Sequence, residues 1–527
     1  MLAKVLSATP RGVGALFVTV EVDRIRAQLP SVTVVGLPDT AVREARDRIF
    51  AAIRHLGRRA EPANVIINLA PADEKKEGAT LDLPMAAAFL AAAGDLPSDR
   101  LHGRLLIGEL SLEGHLQPVR GVLPIALAAR DRGVPEIVVP AANAGEAQVV
   151  SGIDVVAPSS LAQVVAYLRD GTLPEEFLPP EAPGHDPVVG QPPDLADVVG
   201  QEQARRALEV AAAGGHHLLM MGPPGSGKSM LARRLPGILP PLAPQEALET
   251  TCVYSVSTRV ARPAGLLQWR PFRAPHHTVS SAALIGGGSS PQPGEVSLAH
   301  NGVLFLDELT EFRRDALEGL RQPLEDRTVT VARARSSLTF PAGFQLVAAA
   351  NPCPCGYLGD RQRDCSCTPN AVMRYTARLS GPLLDRIDLQ VIVPAVPWRA
   401  LSENRRGESS RIVSERVWTA RALQTERLDA TPCCCNGEMG PDAIRQFATP
   451  DDDGRRLLER ASRALGLSAR AWHRILRVAR TIADLAGVAE ISSAHVAEAI
   501  AYRSLDRQGQ TSSPQAIGGW GPAQGPA

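Results

Sequence analysis

Three shortages bound this chain before any motif is read. It has no net charge, because 56 Lys and Arg stand against 56 Asp and Glu. A global electrostatic pull toward nucleic acid is therefore absent, and any such contact must rest on local patches. No apolar run approaches the roughly 18 residues of a membrane helix, so no membrane partner is expected. The opening residues, Met1 to Leu6, lack the long apolar core of a secretion signal. The expectation is a cytoplasmic chain whose eight cysteines stay reduced unless a metal holds them. What is present is an ordinary soluble mixture, 44% hydrophobic and 21% charged over 527 residues. That is enough for an ample core and roughly three or four domains.

The most informative stretch runs from Gly222 to Glu308. Apolar His217-Leu-Leu-Met-Met221 reads as a strand. Gly222-Pro223-Pro224-Gly225-Ser226-Gly227-Lys228-Ser229 follows, and Met230 to Leu235 reads as the start of a helix. Strand, glycine loop and helix in that order make a phosphate site. The glycines let backbone N–H groups curl around phosphates, and the helix N-terminus adds its positive end. Lys228 would reach the β- and γ-phosphates, and the Ser229 hydroxyl would take one position on Mg²⁺. Gly302-Val-Leu-Phe-Leu-Asp307-Glu308 reads as a buried parallel strand with acids at its C-terminal end, where α/β sheets place ligands. Asp307 would hold Mg²⁺, and Glu308 would polarise the attacking water.

The first 167 residues alternate strand-like and helix-like patterns. Leu16 to Val22, Ser31 to Val35 and Asn64 to Leu69 read as strands. Asp39 to Leu56 reads as a helix opening at an Asp/Thr cap, with Ala41, Ala45, Ile49 and Ile53 at helical spacing. Leu83 to Ala93 reads as a buried helix. Gly78-Ala-Thr80-Leu-Asp82-Leu-Pro, Ile107 to Gly114, Pro118 to Leu123 and Ala129 to Gly133 resemble the Lon-protease-like domain. In that family a Ser and a Lys form the catalytic dyad. Here the serine slot falls near Thr80 and the lysine slot near Leu123. A leucine cannot serve as a base, so the resemblance implies an α+β accessory domain over residues 1–167 without peptidase activity. That domain would pack or contact an unknown protein partner.

Residues 168–196 are dense in proline, which resists helix and strand and marks a semi-rigid tether. Asp197 to Leu208 looks like the adenine-side box of AAA+ ATPases, with Val199 and Gly200 against the base. Residues 271–300 form a polar, glycine-rich insert that implies a loop or hairpin projecting from the sheet. His276 and His277 have no third ligand fixed by spacing, so they read as structural or pore-loop residues rather than a metal site.

Arg270-Pro-Phe-Arg-Ala-Pro-His-His-Thr, Gly294 to Leu309 and Ser380-Gly-Pro-Leu-Leu-Asp-Arg-Ile-Asp-Leu resemble the YifB/ComM family of magnesium-chelatase-like AAA+ proteins. The resemblance covers nearly the whole chain. It implies an α/β fold with a P-loop AAA+ core of the helix-2-insert type (residues 197–395), a connector (396–440) and an α-helical lid (441–506). The tail, residues 507–527, reads as disordered. The family implies a ring assembled from copies of the chain, expected to be a hexamer. Its ComM-type members imply a DNA helicase that promotes branch migration in natural transformation. The competing reading is a magnesium-chelatase-like or protein-remodelling ATPase that does not act on DNA; no porphyrin-binding segment is evident.

Within this frame, Arg313 to Leu324 reads as a helix, and Thr328 to Arg335 and Ser336 to Phe340 read as a hairpin. Arg333 and Arg335 share one face of it. The pair suits a pore hairpin gripping DNA phosphates, and equally a solvated edge strand protected by charge. Asn351, ending an apolar strand, fits the sensor that positions water near the γ-phosphate. Cys353-Pro-Cys355 and Cys365-Ser-Cys367 offer four thiols in two close pairs, which suit tetrahedral Zn²⁺ or remain reduced structural thiols. The family's finger box places Arg386 in a neighbouring subunit's site; the alternative is a local Arg386–Asp388 pair. Ser468-Ala-Arg470 fits the second sensor, an arginine touching the γ-phosphate of its own subunit. Arg474, Arg477 and Arg480 read as a solvated or interface face. The expected cofactors are ATP and Mg²⁺, with zinc a candidate.

Overall fold

The computed structural model describes residues 1–58, 62–76, 78–171, 192–288, 291–333, 336–360, 362–396, 406–431 and 433–503. Among these, two sheets organise the chain. The first has seven strands in the order Ser31–Val35, Ala63–Ala70, Gly14–Arg26, Leu2–Arg11, Arg104–Leu106, Glu136–Val138 and Asp154–Val156. Leu2–Arg11 and Gly14–Arg26 pair antiparallel around a tight turn. The strands beyond Leu2–Arg11 run parallel to their neighbours. Helix Asp82–Ala93 is buried along nearly its whole length against this sheet. Helix Thr40–His55 opens where the sequence signals it, with the Asp39 carboxylate accepting from the Val42 N–H.

The second sheet is parallel, in the order Phe272–Arg273, Val303–Leu306, Gln345–Ala350, Leu218–Met221 and Leu389–Ile392. Its central strands are buried on both faces, which is why they read as unbroken apolar runs rather than alternation. Helix Glu202–Gly214 covers one face. Helices Ser410–Leu428 and Ala469–Leu485 pack on it in turn and share its core. The stretch read as a connector thus holds a long helix, its buried Val413, Val417 and Ala420 belonging to the lid's core.

Arg313 to Leu324, expected as one helix, is two: Arg314–Gly319 and Arg321–Asp326. Pro323 explains the break. It has no N–H to give the Gly319 carbonyl, and its ring crowds that carbonyl. The hairpin forms as Thr328–Arg333 paired with Ser336–Pro341. Arg335 lies outside the described residues. In the insert, Gly286–Gly287 pairs with Gln292–Pro293 as a small hairpin against Val331. No helix among the described residues is long and apolar enough to cross a membrane.

Candidate functional site

The C-terminal ends of three adjacent strands meet at one point. Leu218–Met221 delivers Gly222, Gln345–Ala350 delivers Asn351, and Val303–Leu306 delivers Asp307. Gly222 must be glycine for space: a Cβ there would lie 2.0 Å from the Val393 carbonyl oxygen. Gly225 and Gly227 must be glycine for conformation, at φ of 76° and 92°. A Cβ on either would meet no protein atom within 4 Å, so the space beside the loop is open. That open cradle of backbone N–H groups is the shape a polyphosphate fills.

Lys228 opens the following helix, Lys228–Ala232. Its Nζ donates to the carbonyls of Gly222 at 2.7 Å and Pro223 at 2.9 Å, and to Asn351 Oδ1 at 3.2 Å. Burial pushes its pKa down, and the nearby Asp307 and Glu308 carboxylates push it back up. Ser229 Oγ donates to Asp307 Oδ2 at 2.5 Å. A hydroxyl and a carboxylate converging at this distance form the hard oxygen pair that Mg²⁺ takes, so the donor set fits the expected ion. The Ser226 hydroxyl is buried without a partner, as a group waiting for a ligand would be.

On the other side of the loop, Gly200 and Gln201 adopt positive φ, 65° and 57°. The Gln201 amide donates to the carbonyls of Ser226 at 3.1 Å and Pro394 at 2.6 Å. Val199 and Gly200 are thereby carried beside the phosphate loop. Gln201 itself carries no sequence signal for this role.

Glu308 follows Asp307 in the left-handed region, φ 52°, which turns its side chain away from the strand. Its carboxylate meets His277 Nδ1 at 3.0 Å. His277 in turn packs against His276, ring centroids 4.1 Å apart, and edge-on to Phe312. The expectation of a structural or pore-loop histidine missed this contact. The signal was indirect: His277 comes soon after strand Phe272–Arg273, which pairs with the strand that ends at Asp307.

The two arginines lie elsewhere. Arg386 and Arg470 line a cavity of about 360 Å³ together with His217, Gly302, Gln345 and Asp388, which precede or open the strands of the parallel sheet. This is the edge opposite the phosphate loop. Arg386 pairs with Glu325 at 2.7 Å and donates to the Pro382 carbonyl at 2.7 Å. Arg470 reaches the same Glu325 at 3.8 Å, its side chain 65% exposed. Within one subunit Arg470 thus lies at the edge of the sheet opposite the phosphate loop, beside Arg386. The lid docks its Ala469–Leu485 helix at the N-terminal ends of the strands, a sheet's length from Lys228.

Asp388, the alternative partner for Arg386, instead takes Arg474 at 2.8 Å and the His217 N–H at 3.1 Å. Burial alone would raise the Asp388 pKa, but Arg474 and the adjacent His216 and His217 hold it well below the carboxylate range. Burial drives His217 down to about 4. Arg474, Arg477 and Arg480 do not form a solvated face. Arg474 and Arg480 are held by Asp388 and Asp484, and Arg477 donates to the Gly437 carbonyl at 3.0 Å.

The four thiols converge. Cys353 Sγ lies 3.4 Å from Cys355 Sγ and 3.6 Å from Cys365 Sγ, and all four sulfurs fall within 4.8 Å of one another. Arg333 ends its strand of the hairpin, paired in register with Ser336.

Comparison with known proteins agrees with this geometry. The model for magnesium chelatase, subunit ChlI, matches residues 194–401. A second model for subunit ChlI of Mg-chelatase matches 20–143, and the model for the ChlI C-terminal region matches 407–503. The YifB protein of Salmonella typhimurium is 44% identical over 513 residues, covering 96% of this chain and 98% of its own. Competence protein ComM of Haemophilus influenzae is 44% identical over 516 residues, with 96% and 98% covered. Lon protease 2 of Bacillus subtilis is similar over a shorter span, 29% identical over 187 residues, 31% of this chain and 34% of that one. On these matches and this fold, the chain belongs to the YifB/ComM family of magnesium-chelatase-like AAA+ proteins.

Proposed function

We propose that this chain is a Mg²⁺-dependent ATPase that works as a ring and moves on DNA, in the manner of a helicase or branch-migration motor. The observation that carries the reading is the split of the site across the parallel sheet. One edge holds Lys228, Ser229, Asp307, Glu308 and Asn351; the other holds Arg386 and Arg470. A single copy cannot bring the two sets together. Copies stacked edge to edge, in a head-to-tail interface that closes on itself, can. Such an assembly, of six copies in the proposed hexamer, puts the arginines on the neighbour's nucleotide.

In that arrangement the loop 222–229 holds the phosphates, and Ser229 and Asp307 hold Mg²⁺. When bound, Mg²⁺ would supply positive charge against that developing on the phosphates. Asn351 and Glu308 orient water. Arg386 and Arg470 of the adjacent copy neutralise the transition state from outside, a contribution worth about 10³–10⁵ in rate for such fingers. The lid's placement supports a trans role for Arg470.

The DNA reading rests on the hairpin strand that ends at Arg333, on Arg335 two residues further along the sequence, and on the similarity to a competence protein. The deciding experiment is ATP turnover with and without single-stranded, duplex and branched DNA across a salt series. Stimulation that fades with salt, and falls in Arg333→Ala plus Arg335→Ala, is the expected result, because phosphate contacts release counterions. Stimulation greatest on branched DNA would point to branch migration. Turnover indifferent to every DNA would replace this reading with protein remodelling or a chelatase-like role.

A further inference from the structure

The segment between Asn351 and helix Pro369–Thr376 contains only turns and bends among its described residues. Nothing in its backbone ladder holds it, yet Cys353 is fully buried and the four thiols meet. The geometry is that of a single tetrahedral ion. Zinc–sulfur bonds of about 2.3 Å place ligand sulfurs about 3.8 Å apart. Here Cys353–Cys355 is 3.4 Å, and Cys353–Cys365 and Cys355–Cys365 are both 3.6 Å. The backbone N–H groups of Cys355 and Cys367 point at Cys367 Sγ and Cys365 Sγ, each at 3.4 Å, as donors do around metal-bound thiolates. Four sulfurs this close leave room for one ion and not for an iron–sulfur cluster, whose separate irons each take their own thiolates.

The knuckle also touches the phosphate loop. Gly356 closes the Cys353-Pro-Cys355 turn at φ 85°, its N–H donating to the Cys353 carbonyl at 3.0 Å. A Cβ on Gly356 would lie 2.5 Å from Pro224 Cδ. The same segment starts at Asn351, which receives Lys228 Nζ. On its far side, Thr368 caps the helix whose Tyr375 hydroxyl accepts from Thr310 at 2.6 Å, just past Glu308.

We propose that Cys353, Cys355, Cys365 and Cys367 bind one zinc ion, and that this ion holds Gly356 against Pro224 so that nucleotide affinity depends on the metal. The coupling rests on the reading of residues 222–229 as the phosphate site; the zinc site itself does not.

The test begins with elemental analysis and thiol titration of the full chain. One zinc per chain is expected, with its thiols protected, and Cys365→Ser and Cys367→Ser should each lose the metal. Protein free of zinc with four freely reacting thiols would overturn the site. Binding of a fluorescent ATP analogue, with Mg²⁺ in excess, is then compared for zinc-loaded, chelator-stripped and zinc-restored protein. Stripping should weaken affinity about tenfold or more, roughly the worth of one well-placed contact, and zinc should restore it. Unchanged affinity after stripping would overturn the coupling. Gly356→Ala should keep its zinc and lose nucleotide affinity, because its Cβ collides with Pro224; wild-type affinity in that variant would also overturn the coupling. If zinc-loaded wild-type protein bound no nucleotide, the phosphate-loop reading would fall, and the coupling with it, while the zinc site stood on its own measurement.

Discussion

In the proposed site Glu308 is the water-polarising carboxylate, and His277 already holds it at 3.0 Å. A carboxylate engaged by a histidine has fewer lone pairs free to orient water, so in that reading His277 would restrain it as a positioning residue. The contact is partly exposed, and even a fully charged pair in such a place holds about 1 kcal/mol or less. His277→Ala should therefore raise turnover in the absence of DNA by no more than about fivefold. It should leave nucleotide affinity unchanged and, in the proposed DNA motor, shrink the increment that DNA adds. Glu308→Gln, which cannot act as the base, should bind ATP and stall in either background. Basal turnover in His277→Ala equal to wild type would mean that the contact does not restrain the glutamate. The phosphate loop and Asp307 were legible from sequence because each is a contiguous run whose residues act together. The His277 contact was not, because it depends on which strands the parallel sheet sets side by side. The place of Arg470 was not legible for a related reason. Its helix was recognisable, but the edge of the sheet on which that helix docks is decided by packing between Glu202–Gly214, Ser410–Leu428 and Ala469–Leu485.

Elements bounded by local chemistry followed the sequence closely. Asp39 caps Thr40–His55, and Ser31–Val35 forms as its residues predict. Where one residue outweighed a pattern, as Pro323 did, the expected element broke. The junction between the two sheets carries no such local signal. Helix Val122–Asp131, which holds the leucine in the lysine slot, packs against helix Pro244–Val256 of the region that carries the parallel sheet. Glu146 seals this junction. Its carboxylate accepts from the Leu123 N–H at 3.0 Å, from Asn143 at 3.2 Å and from the Ser255 hydroxyl across the interface. The slot near Leu123 is thus filled by packing. Burial raises the Glu146 pKa, and the three hydrogen bonds only partly offset it. The folded state therefore binds this proton more tightly than the unfolded chain does. Its stabilising contribution is complete below the ordinary carboxylate pKa and is lost as pH rises through the raised value. Melting temperature should fall from mildly acidic toward neutral pH, and more steeply in wild type than in Glu146→Gln. Parallel pH profiles for the two proteins would assign the dependence to another group.

On the scale of the whole molecule, the division of the site across two edges makes a demand that no isolated subunit can meet. If Arg386 serves the neighbour, a subunit lacking Lys228 is dead as a nucleotide binder but still carries a working arginine. A subunit lacking Arg386 has the reverse defect. Rings of Lys228→Ala alone or Arg386→Ala alone should turn over little ATP, the second while still binding it. When the two are unfolded, mixed in equal amounts and reassembled, about a quarter of the interfaces of a randomly mixed head-to-tail ring pair an intact phosphate loop with an intact arginine. Turnover should return toward that fraction of wild type. An Arg386 acting within its own subunit predicts no recovery at any mixing ratio, because every subunit then carries one lethal defect. Replacing Arg386→Ala by Arg470→Ala in the same mixture asks the question of the lid. Recovery there would place Arg470 on the neighbour's nucleotide together with Arg386, with which it shares Glu325. Failure of that second mixture alone would leave Arg386 as the residue acting across the interface and make Arg470 a local support for Glu325.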